Sequence, residues 1–193
     1  SVYLEALLVV NAAETSSELG RHDDALELLA FKSELTFVEG GRRCTRAWLL
    51  ASTRQAQEAL RVLEGVEPVA LYEYQCEYWL TLAYAQRTLG DLDACEGALR
   101  NATDSIVRAS SSRNVEFAWA ELHCARGDTD RALVRYEAGA KHAWRWQGGS
   151  GLLNYGTLLS ELGRHDDARA AWQQCVTQDP QSLAAIEAKQ RLV

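Results

Sequence analysis

Four histidines, at 22, 123, 142 and 165, and five cysteines, at 44, 76, 95, 124 and 175, are the side chains of this 193-residue protein best suited to metal, nucleophilic or acid–base chemistry. Their spacing assembles none of it. A structural zinc site is built from closely spaced ligand pairs, and there is no CxxC. HExxH, GxSxG and the phosphate-loop pattern are also missing. Gly148, Gly149 and Gly151 resemble a phosphate cradle only in being glycine-rich, because no Lys follows and no strand precedes them; they read as a connector. Asp23-Asp24 and Asp166-Asp167 are adjacent pairs at helix starts. That position suits the helix dipole, not two-carboxylate catalysis, which needs groups facing one another across a substrate. The sequence therefore predicts no catalytic residue, no metal site and no cofactor. Its cysteines read as small buried hydrophobes of a reducing compartment.

The composition narrows the classes further. There are 27 acidic against 20 basic side chains, a formal charge of −7. A nucleic-acid binder needs basic surface to displace counterions, so nucleic acid is not an expected partner. Only 2 Pro and 13 Gly leave room for long helices. No apolar run reaches the roughly 18 residues of a membrane span. Residues 3–10 are the most apolar stretch, but Glu5 interrupts them and no basic segment precedes them, so they do not read as a secretion signal. A cytoplasmic location is expected. The absence of Met, even at the first position, predicts a piece of a longer protein.

What the chain does carry is self-similarity. Residues 17–25 and 160–168 are both SELGRHDDA; TLGDLDAC at 88–95 and ARGDTDRA at 125–132 are weaker copies. The glycines Gly20, Gly90, Gly127 and Gly163 mark tight turns, since Gly enters the left-handed region without a Cβ penalty. A unit without the glycine fits between the first two, with Arg54 at its turn. Seven residues before each turn stand Ala13, Ala47, Ala83, Ala120 and Gly156, and five after it Ala25, Ala59, Cys95, Ala132 and Ala168. Ten small residues at two fixed places predict antiparallel helix pairs whose backbones approach closely.

A unit of about 34 residues with this pattern resembles the tetratricopeptide repeat (TPR). Residues 149–180 match it best, with Leu152, Tyr155, Gly156, Leu159, Gly163, His165, Ala168, Trp172, Cys175 and Pro180 on the family's signature places. The repeats fall at about 6–39, 40–73, 76–109, 113–146 and 149–180. The second is weakest, since Arg43 and Arg46 replace apolar residues. Residues 181–193 form a capping helix in which Leu183, Ile186 and Leu192 cover the last repeat. The resemblance implies an all-α, right-handed superhelical solenoid, a single TPR domain over 1–193. It also implies a concave groove, lined by the first helices, that holds a peptide or protein segment.

Projecting those first helices gives the candidate groove residues: Val10, Glu14 and Glu18; Cys44, Trp48 and Ala51; Glu77, Leu80, Tyr84 and Arg87; Phe117, Glu121 and Cys124; Leu153, Asn154, Thr157 and Glu161. Trp48, Tyr84 and Phe117 form an aromatic run with the composition of a binding hot spot, or else they pack between neighbouring repeats. The charges are mostly acidic. The family's Lys and Arg clamp for a chaperone tail has Val10, Glu14, Glu77 and Thr81 in its place here, so a partner with basic and apolar residues is expected instead. Trp144 and Trp146 are expected to seal the joint before the glycine connector. The expected function is a non-enzymatic interaction scaffold; the alternative is a regulatory or sensor domain of a larger multidomain regulator. Self-association is a further open role.

Overall fold

A computed structural model describes residues 2–31, 36–106, 109–141, 149–178 and 180–193. Eleven α-helices and one 3-10 segment account for most of them, and no strand occurs among the described residues. The chain divides into two compact units, Ser1–Val107 and Arg108–Val193.

The first unit holds α1 (Val2–Glu18), α2 (His22–Leu28), α3 (Thr36–Ser52), α4 (Ala56–Leu63), the 3-10 segment Pro68–Tyr74, α5 (Gln75–Thr88) and α6 (Leu92–Asp104). The second holds α7 (Ala109–Ala125), α8 (Thr129–Lys141), α9 (Gly149–Glu161), α10 (His165–Gln178) and α11 (Leu183–Arg191). Consecutive helices pair as five hairpins, with α11 added to the last.

Every hairpin turns in the same way. The residue at the turn has positive φ: Gly20 78°, Gly90 82°, Gly127 74°, Gly163 75°, and Arg54 64° in the unit that lacks the glycine. In each, the turn residue's N–H donates three residues back and the next N–H donates five residues back. Gly163 to Ser160 is 3.0 Å and Arg164 to Leu159 2.9 Å; Arg54 to Ala51 is 3.2 Å and Gln55 to Leu50 2.8 Å. This pair of bonds satisfies carbonyls that the helix end would otherwise leave open. The second helix then starts in one of two ways. Asp91 and Asp128 cap it through their carboxylates, accepting from the N–H of Ala94 and Arg131. In the SELGRHDDA copies an Arg holds that place and pairs with the acid three residues on, Arg21 with Asp24 and Arg164 with Asp167.

The small residues sit where close approach requires them: nine of the ten are at most 1% exposed, and Gly156 is buried as well. At Gly156 a Cβ would collide with the Trp172 ring, whose Nε1 donates to the Leu153 carbonyl at 3.3 Å.

The extra residues between the second and third hairpins form the Pro68–Tyr74 segment, bent at Tyr72 with φ 48° and ψ −113°. Its Leu71 lies in the space a Cβ on Gly40 would fill, which explains a glycine inside α3. Arg43, unexpected in an apolar pattern, donates to the carbonyls of Val62 and Glu64 and so closes the end of α4.

Two expectations are corrected. In α11 the buried residues are Ala185 and Ala188, while Leu183 and Ile186 are 49% and 47% exposed; only Leu192 of the three named packs on the core. Small side chains let α11 lie close, and that turns its larger ones outward. Cys124, unlike the four buried cysteines, is exposed near the end of α7. Trp144 and Trp146 lie outside the described residues.

Candidate functional site

In the first unit the candidate residues come from α1, α3 and α5. Thr45 of α3 donates to Glu14 Oε1 of α1 at 3.3 Å. Burial is the main cause that raises the Glu14 carboxyl; the Thr45 bond opposes it, and the charge of Glu77 on α5 adds to it. The same Glu77 charge, after burial, helps push the Cys44 thiol up to about 12, against a smaller opposing effect of Arg43. Glu14, Cys44, Thr45 and Glu77 are therefore neighbours across three successive first helices. Thr45 and Trp48 are one turn apart on α3 and so lie on one side of that helix. Trp48 is 39% exposed. Leu80, Tyr84 and Arg87 are half-buried along α5, and the Arg87 guanidinium lies 5.2 Å from the Tyr84 ring centroid. Val10, Cys44 and Ala51, by contrast, are core residues, 4%, 3% and 2% exposed. Val10 packs with Ala13, Ala25, Leu29 and Leu49. The Glu18 side chain lies outside the described residues.

In the second unit the candidates separate into core and surface. Phe117 is 5% exposed, with its ring between Gly139 of α8 and Gly151 of α9, where either Cβ would overlap it. Leu153 is buried too. The aromatic run thus ends at Tyr84, and Phe117 takes the packing role that stood as its alternative. On the surface, Asn154 Nδ2 donates to Glu121 Oε1 at 2.9 Å and ties α9 to α7. Beside it is a shallow cleft of about 320 Å³ lined by Cys124, Thr129, Asn154, Thr157, Leu158 and Glu161. Four of these six were candidates from the sequence. Thr129 and Leu158 were not, and neither was Thr45. Thr129 opens a second helix and so falls outside a projection of first helices only.

The first unit presents an exposed indole on the helix that carries Thr45, and the second a cleft lined by both polar and apolar side chains. Among the described residues no group of three or more His, Cys, Asp or Glu could hold a metal ion, and no helix is long and apolar enough to cross a membrane.

Repeated helical hairpins with small residues at the crossings define an all-α helical-repeat protein. Residues 150–182, which span most of α9, all of α10 and the approach to α11, match the family model of the tetratricopeptide repeat. That match supports the resemblance seen in the sequence. No curated protein matches the chain.

Proposed function

We propose that this protein is an interaction scaffold, and that the α1–α3–α5 face of its first unit holds a segment of a partner chain bearing basic and apolar side chains. The match to the tetratricopeptide repeat supports the scaffold role, since that family is in general a non-enzymatic binding fold.

The carrying observation is Trp48. A Trp left 39% exposed one turn along α3 from Thr45, which bonds Glu14, is a large apolar anchor on the helix that faces this acidic pair. A partner's apolar side chain covers the indole, and a Lys or Arg placed by the carboxylates relieves their mutual repulsion. Leu80 and Tyr84 extend the apolar surface along α5, and Arg87 over Tyr84 marks its margin. The cleft at Asn154, Thr157 and Glu161 is a second contact place in the other unit.

The test is selection of short random peptides displayed against the whole protein. Enriched sequences combining Lys or Arg with aromatic or aliphatic residues, and lost on Trp48→Ala, support the reading. Acidic sequences, no enrichment, or equal retention by the Trp48→Ala variant contradict it.

A further inference from the structure

The cleft of the second unit has a polarity that its own hydrogen bonds dictate. Asn154, Thr157 and Glu161 lie at i, i+3 and i+7 of α9, and all three line the cleft from that one side of the helix. Asn154 Nδ2 donates to Glu121 Oε1 at 2.9 Å. The reverse orientation of this amide would set its carbonyl against a carboxylate, so Asn154 Oδ1 is left as an acceptor turned away from Glu121. The Thr157 hydroxyl uses its proton on the Leu153 carbonyl at 2.9 Å and has only lone pairs left to offer.

The charge has the same sense. Among the described residues Glu161 is the one charged side chain lining the cleft, and it is exposed. The Glu121 carboxylate stands beside Asn154. Basic side chains of α8 and of the turn between α9 and α10 are engaged with other acids: Arg131 with Asp128, Arg135 with Glu116 and Arg164 with Asp167. Half-buried Leu158 adds an apolar wall.

We propose that this cleft takes the guanidinium of an arginine in a partner chain. The inference rests on reading the cleft as a contact place, and it names the group that enters. A guanidinium is all donor, with five N–H groups in a planar fork and a charge that does not titrate away. It can donate to a carboxylate and to neighbouring oxygens at once, while its methylene stem packs on an apolar wall such as Leu158. An ammonium is a compact point charge and serves a row of acceptors less well. An anion would meet the Glu161 charge and lone pairs. At about 320 Å³ the cleft has the volume of a small ligand site, which suits one long side chain and not a whole helix.

The test is nitrogen–proton correlation NMR of the whole protein, titrated with Nα-acetyl-arginine amide and, separately, with the uncharged isostere Nα-acetyl-citrulline amide. The arginine probe should give saturable shifts at the Asn154 side-chain amide and the Thr157 backbone amide, and the citrulline probe much smaller ones. Glu161→Gln, at an exposed position, should weaken the arginine probe by about two- to fivefold, the range of an exposed ion pair. Trp48→Ala, in the other unit, should leave the response at Asn154 as it is. If peptide selection fails while this response persists, only the reading of the α1–α3–α5 face is lost. Equal shifts from citrulline, an unchanged affinity in Glu161→Gln, or shifts centred away from Asn154 and Thr157 overturn the proposal.

Discussion

Glu77 on α5 acts on Glu14 on α1: its charge adds to burial in raising the Glu14 carboxyl. Two acids from non-consecutive helices are thus held near one another, and the Thr45 hydroxyl donates to Glu14 from α3. Holding the two charges near one another costs the folded protein something.

The cost can be read by pH. Because Glu14 is raised in the folded chain, its protonated form favours folding. Its contribution to stability is complete below the ordinary value of 4.5 and is lost as pH rises through the folded value. Glu14→Gln removes the charge and keeps an acceptor for Thr45. In urea denaturation the variant should be more stable than the parent at pH 7, with the difference shrinking as pH falls towards 4.5. A variant less stable at pH 7 contradicts this placement of Glu14.

Arg54 holds a turn that glycine holds in the other four hairpins, with φ 64°. A non-glycine residue there costs roughly 1–2 kcal/mol, partly offset by the flexibility of Gly in the unfolded chain. Arg54→Gly should therefore raise stability by about 0.5–1 kcal/mol. Gly163→Ala should lower it by about 1 kcal/mol or more. Chemical denaturation midpoints check both.

The Phe117 ring occupies the space of absent Cβ atoms at Gly139 and Gly151. Gly151→Ala should cost about 1–3 kcal/mol through overpacking. Phe117→Leu in that background should recover part of the loss, while in the parent it costs stability by leaving a gap. A double-mutant cycle with no coupling between 117 and 151 contradicts the contact.

The hairpins were legible in the sequence because their determinants are local. A left-handed turn residue and small residues at two fixed offsets specify each pair, so even the turn at Arg54 could be placed without its glycine. The rotation of the first helices was less legible. A shift of one residue turns a side chain by about 100°, and Phe117 was drawn inward by glycines 22 and 34 residues away, on α8 and α9. The Pro68–Tyr74 segment was hidden for a related reason: Leu71 depends on bare backbone at Gly40, a contact between distant residues. Arg43 read as a defect in the apolar pattern because its role, bonding carbonyls at the end of α4, leaves no periodic trace.

Of the candidate site, Glu14, Glu77 and Trp48 were legible as charges and an aromatic at first-helix places, whereas Thr45 was not. The most direct measurement of the proposed contact is calorimetric titration of a selected basic–apolar peptide into the parent protein, Trp48→Ala, and the Glu14→Gln/Glu77→Gln double variant, all with matched helix content. Loss of an anchor worth more than 1.4 kcal/mol weakens binding by about tenfold or more. Trp48→Ala should lose at least that much, and the double variant should bind clearly more weakly and with a flatter salt dependence. Unchanged affinity in both would contradict it.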